Sequence, residues 1–258
     1  MTPRNTIATI AAVVLLAGGG VWAAFAADAP PASYLPAPLD TTHILPPAPT
    51  AGTSRYEADR TIFLQTRSLK GSDRWTMAIG DADSASILQQ FSCSAGVTLD
   101  KDTAPRLAAL LLHIRKDVGD STNAAKDFYK RQRPFRIDEG ETCVAKPDSL
   151  DYPSGHVTWG WSVGLILAEL LPDRTPQILL RARAIGESRV VCGVHNASAA
   201  EAGRTNASAV VAALHGQDAF RKDLDGVRKE IAALRKTGAA PDAGICKAEA
   251  DLLAKDPY

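Results

Sequence analysis

Three short segments between residues 126 and 195 carry side chains suited to handling a phosphoryl group. Lys126 and Arg133 stand seven positions apart, with Pro134 directly after them. Pro153, Ser154, Gly155 and His156 follow as a block, and Ser188 and Arg189 precede His195. A planar guanidinium binds two phosphate oxygens at once, while lysine adds a mobile point charge. A glycine lets backbone approach a ligand closely, and the first N–H groups of a helix bind anions because they lack internal partners. Ser154 can donate its hydroxyl, and His156 at a helix mouth can pass a proton to a leaving oxygen. A neutral His195 can attack phosphorus, giving a phosphohistidine that water later hydrolyses. Three cations around the transferred group would offset the charge of its transition state. His43, His113 and His215 lack such neighbours and read as structural or exposed.

Helices must position these segments. Expected helices run over 54–69, 75–87, 105–118, 121–131, 156–171, 175–185, 195–214 and 218–236. Pro105 stands near a helix start, and Ser121 or Thr122 serves as N-cap of the fourth. Lys126 and Arg133, about two turns apart, then project from one helix end that Pro134 stops. The segment 134–153 lacks periodicity and holds three prolines and Gly140, so it reads as a long irregular loop, a kind that is usually functional. The 156–171 helix is strongly apolar and therefore central. No stretch alternates long enough to form a convincing sheet, so the expected fold is all-α: a single-domain helical bundle around that apolar helix, spanning 54–240, with a C-terminal tail at 241–258.

Residues 1–26 read as a signal peptide. Arg4 supplies the charge, 7–21 the apolar stretch and Ala24-Phe25-Ala26 the cleavage site. The stretch is too short and glycine-interrupted to favour a membrane span, and no later segment is long and apolar enough, so no integral span is expected after cleavage. This implies a periplasmic or secreted protein. The 232 residues that remain suit one domain, or at most two. The whole chain has a net charge of +0 and 6% aromatic residues, which argues against a nucleic-acid surface. Residues 27–53 hold seven prolines and read as an extended, passive surface arm. Cys93, Cys143, Cys192 and Cys246 form no CxxC pair. In an exported chain they point to disulfides, with three complete pairings open.

The order and spacing of the three segments resemble the signature of the type 2 phosphatidic acid phosphatase and vanadium haloperoxidase superfamily. Within it the chain is most similar to bacterial class A non-specific acid phosphatases. The resemblance spans roughly 55–220 and takes in Tyr129, residues 131–135, Thr142-Cys143, Gly160-Trp161 and Cys192-Gly193. It implies His195 as nucleophile and His156 as general acid, with Lys126, Arg133, Ser154, Gly155 and Arg189 holding phosphate. It also implies small-molecule phosphate monoesters as substrates and no metal or cofactor; a homo-oligomer is compatible with it. The haloperoxidase branch places vanadate in the same cradle, which makes a vanadate-dependent haloperoxidase a rival reading. One element departs from the pattern. The family has an aspartate four residues after the nucleophile, where it accepts the Nδ1–H; here that residue is Ala199. Asn196, Ser198, Glu201 or a backbone carbonyl are the candidate substitutes. The other rival is a phosphate-binding protein of this fold with little turnover.

Overall fold

The computed structural model describes residues 33–258; the proposed signal peptide and the first residues of the arm lie outside them. Among the described residues there is no strand. The helices are α1 (Ser54–Thr66), α2 (Asp73–Gly80), the single turns α3 (Ile87–Gln90) and α4 (Ser92–Ala95), α5 (Pro105–Tyr129), α6 (Gly155–Leu170), α7 (Thr175–Val191), α8 (Ala197–His215), α9 (Asp218–Thr237) and α10 (Ala243–Leu253). None is long and apolar enough to cross a membrane.

The apolar helix α6 is central, as its composition requires, since a helix without a polar face must be enclosed. Val157, Val163, Ile166 and Leu167 are fully buried, and α5, α7 and α8 pack around it. Its approach to α7 depends on Gly164: a Cβ there would fall 2.5 Å from the Cβ of Ala182. No small rotation of a methyl group relieves such a contact, so the two helices need glycine at that crossing.

Several helix boundaries differ from expectation: the first helix ends at Thr66, and α7 continues six residues past the expected end to Val191. The 105–118 and 121–131 helices are one continuous α5, because neither hydroxyl residue caps a new start. Ser121 Oγ donates to Leu39 O at 3.0 Å, and Thr122 Oγ1 donates back to Val118 O at 2.7 Å. The second helix stops at Gly80, since Asp81 turns its carboxylate to Arg181 and Ser188 on α7. The tail contains α10, held to α4 by a disulfide between Cys93 and Cys246.

The arm from residue 33 onward is irregular, as proline demands, and lies against the helices. Leu35 and Leu45 are buried, Thr41 Oγ1 bonds Asn206 at 2.7 Å, and Tyr152 donates to Pro46 O at 2.6 Å. It therefore braces the end of the 134–153 loop. A second disulfide, Cys143–Cys192, ties that loop to the turn before His195 across 49 positions of sequence. Closing a loop of this size restricts the unfolded chain, so the Cys143→Ala/Cys192→Ala variant is expected to lose about 2–4 kcal/mol of unfolding free energy. Urea denaturation measures it; a loss under about 0.5 kcal/mol would mean that packing alone holds the loop.

Candidate active site

Helix α5 delivers Lys126 in its last turn. The helix ends at Tyr129 because Lys130 takes a left-handed conformation (φ 49°), earlier than the expected stop at Pro134. Arg133 therefore lies on extended chain, φ −72° and ψ 153°, the region to which a following proline confines it. The residue is 4% exposed, and its guanidinium is held by Ser149 O and Oγ and by Val194 O. Lys126 Nζ donates to Leu150 O. Both cations are thus fastened to the ends of the loop regions that flank the site.

Helix α6 begins at Gly155, with Ser154 as its N-cap, and His156 sits in its first turn. Helix α7 carries Arg189 in its last turn. After it, Gly193 takes a left-handed conformation (φ 71°), where any side chain would be strained and would also meet Arg67. The chain folds back there, so that the backbone N–H groups of Val194 and His195 both reach Arg189 O, at 3.2 and 3.3 Å. His195 is thereby seated beside Arg189.

His195 is 3% exposed and its ring is held at both nitrogens. Nε2 lies 3.0 Å from Arg133 Nη1, and Nδ1 lies 2.9 Å from Asp151 Oδ1. Arginine offers donors only, so Nε2 must accept and Nδ1 must carry the proton given to Asp151. This pair of neighbours selects the tautomer with its lone pair on the Arg133 side. Asp151 is fully buried. Asn196 donates to it from its backbone N–H at 3.2 Å and from its amide at 2.8 Å, while Arg131 lies 3.7 Å away.

The orienting group was missed by sequence reasoning. Asp151 lies 44 positions before His195, in an aperiodic loop, and its only signal is an acid standing five residues ahead of His156. The substitutes proposed from sequence are engaged elsewhere: Ser198 bonds Asp59 and Arg131, Glu201 pairs with exposed Arg55, and Asn196 holds Asp151. Nor is position 199 one turn along a helix from His195, because α8 starts only at Ala197. Ala199 is buried against Tyr152, Ala125 and Leu45.

Lys126, Arg133, Gly155, His156, Arg189 and His195 all line one cavity of about 380 Å³. Ser154 does not; it is fully buried and accepts from Val157 N at 3.5 Å as a helix cap. Ser188 likewise faces away from the site, joining Arg74 and Asp81. Asp81 in turn presents its carbonyl to His156 Nε2 at 2.7 Å, so that nitrogen carries a proton and Nδ1 is left to exchange one. His43 is exposed, His113 stacks near Tyr34 and His215 pairs with Glu169, and none of them lines the cavity.

Burial dominates the electrostatics. It pushes the Lys126 ammonium down to about 8, with Arg133 adding to the effect, and Arg189 down to about 10. It lowers His156 to about 4, helped by Arg189, and holds His195 well below its usual range. Burial raises the Asp151 carboxyl to about 6, against the pull of Arg131 and Asn196. Among the described residues, Arg189 Nε and Nη1 are buried without a hydrogen-bond partner. A concave site with clustered cations, unmatched donors and a neutral, oriented imidazole is built for an anion that the imidazole can attack.

Comparison with known proteins agrees with this geometry. Residues 107–222 match the PAP2 superfamily. The chain is 43% identical over 212 residues to an acid phosphatase of Zymomonas mobilis, covering 80% of each chain. It is 36% identical over 206 residues to a non-specific acid phosphatase of Providencia stuartii, covering 77% of this chain and 83% of that one. A non-specific acid phosphatase of Salmonella typhimurium is 33% identical over 201 residues, covering 75% and 80%. With its cation-lined cavity, its paired histidines and relatives of this similarity, the chain belongs to the PAP2 superfamily and, within it, to the non-specific acid phosphatases.

Proposed function

We propose that the protein is an exported phosphomonoesterase that hydrolyses small phosphate monoesters through a phosphohistidine on His195. The observation that carries the reading is the line Arg133–His195–Asp151, which holds an unprotonated Nε2 against a cation that a phosphate would also engage. The incoming phosphoryl oxygens take up Arg133, Arg189 and Lys126, and Nε2 attacks phosphorus as the P–O ester bond breaks. His156, protonated on Nδ1, gives its proton to the departing alkoxide. The neutral His156 then takes a proton from water, whose oxygen attacks the phosphohistidine and releases phosphate. Asp151 keeps Nδ1 protonated as the donor and offsets the positive charge that the ring gains on phosphorylation.

The pKa of His156 fits a substrate-assisted proton. An empty site keeps its ring neutral above about pH 4. A bound phosphate dianion beside Arg189 offsets the cation that depresses it and raises its affinity for the proton. The rival reading of a phosphate holder with little turnover was motivated by the missing carboxylate at 199, and Asp151 removes that motive. Export is supported by the leader-like 1–26 segment and by two disulfides, bonds that persist in oxidising compartments.

Rapid quenching with a phosphate-labelled aryl ester is the direct test. Label is expected on the protein before product release, lost in acid and stable in base, as a phosphoramidate behaves. Steady turnover with no labelled protein at any quench time would mean that water attacks the ester directly.

A further inference from the structure

The phosphate cavity does not end at its cations. A second cavity, of about 520 Å³, adjoins it and shares three of its wall residues, Ser84, Arg115 and Trp159. The second has an apolar wall of Ile87, Leu88, Ala108, Leu111, Leu112 and the Trp159 ring, and is also lined by the polar and charged Gln89, Asp100, Lys101 and Asp102. One helix forms the floor of both. Along α5, residues 108, 111, 112 and 115 face the apolar cavity, and 115, 119, 122 and 126 face the phosphate cavity. These recur at three- and four-residue spacing, so they form one stripe on one helix face.

The distances suit a single ligand that occupies both. Trp159 follows His156 by three residues on α6, about 4.5 Å along the helix axis. An alcohol bonded to a phosphate at His195 therefore meets the apolar wall within one helical turn of the proton donor. Arg115 bridges the junction. Its Nη2 donates to Ser84 Oγ at 2.9 Å, and its guanidinium carbon lies 5.2 Å from the centre of the Trp159 ring. Cations gather at the phosphate end, and beyond the bridge apolar side chains share the wall with Asp100, Lys101 and Asp102. A small polar alcohol such as glycerol would leave this second cavity unfilled.

We propose that the second cavity is the leaving-group subsite, and that the preferred substrates are phosphate monoesters of sizeable apolar alcohols, alkyl or aryl, of about six carbons or more. The proposal rests on the phosphomonoesterase reading. Its occupant is the alcohol of the substrate itself, because the cavity shares Ser84, Arg115 and Trp159 with the cradle that holds the phosphate.

Leu112 permits a clean test, since it lines the subsite while 57% exposed, so Leu112→Asp is compatible with folding. The first measurement needs no turnover. Inhibition constants of a series of straight-chain alkylphosphonates are expected to fall about two- to fourfold per added methylene through the middle of the series, the range set by partial to full burial of a CH₂. In Leu112→Asp the decline is expected to flatten, with methylphosphonate unchanged. Constants independent of chain length in the natural protein would overturn the subsite. The second measurement compares 1-naphthyl phosphate with glycerol 2-phosphate. Leu112→Asp should raise KM about tenfold for the aryl ester alone and leave kcat within about twofold for both. An equal change for both esters, or none for either, would also overturn it. Failure of the phosphomonoesterase reading is distinguishable, because it would appear as no turnover of either ester by the natural protein while the phosphonate series kept its slope.

Discussion

Asp151→Ala is expected to lower kcat by about 10³–10⁴, the loss seen when the orienting acid of a catalytic triad is removed. The variant leaves the His195 Nδ1–H without its acceptor at 2.9 Å and frees the ring to adopt the other tautomer. Its Nε2 would then present a proton to Arg133 in place of a lone pair. Because Asp151 acts through His195, the informative readout is the pH profile. Its carboxyl is raised to about 6, so the acceptor form is present above that pH and is lost as pH falls through it. An acid limb near pH 6 in kcat/KM is therefore expected in the natural protein and absent in Asp151→Ala. A variant with near-normal kcat, or with the same acid limb, would place the orienting role elsewhere. The companion is Ala199→Asp. It should give no gain and should lose rate and stability, since it sets a second buried carboxylate beside Tyr152, next to Asp151.

His195→Ala should abolish hydrolysis of a simple aryl phosphate, with a loss on the order of 10⁵ or more in kcat, comparable to removing a nucleophile elsewhere. No labelled phosphoprotein should form. The fold should survive, because Arg133 keeps its bonds to Ser149 and Val194, and Asp151 keeps both of its bonds from Asn196. Circular dichroism and a urea transition confirm that. Phosphate binding should persist, since Lys126, Arg133 and Arg189 remain, and equilibrium binding of inorganic phosphate within about tenfold of the natural protein is the expected value. Turnover within about tenfold of the natural rate would eliminate His195 as the nucleophile.

The placement of the candidate site residues was legible in the sequence wherever it depends on residue type and short spacing. An aperiodic apolar run at 156–171 has nowhere to lie but the centre of a bundle, and α6 does so. The block Pro153-Ser154-Gly155-His156 reads as a helix mouth, and α6 starts at Gly155. Arg189 and His195 read as one segment by their spacing, and the turn at Gly193 brings the His195 N–H back to Arg189 O. Boundaries were less legible: Ser121 and Thr122 carry cap chemistry, but their hydroxyls are satisfied by Leu39 O and Val118 O, so α5 continues through them. Ser154 reads as a phosphate donor by type, yet its place behind the helix mouth makes it a cap.

What only the tertiary structure decided is the partner of His195. Spacing rules work where chain neighbours are also spatial neighbours, as on a helix. Asp151 reaches His195 by a route with no period: a loop whose backbone is tied to Arg131, braced through Tyr152 by the arm, and followed by a helix that packs beside α7 and α8. Catalysis requires an acceptor at one point in space, whichever part of the chain supplies it. The sequence determined that such an acceptor was needed and that position 199 lacked it. Packing of the loop against the turn after α7 determined which residue fills that point.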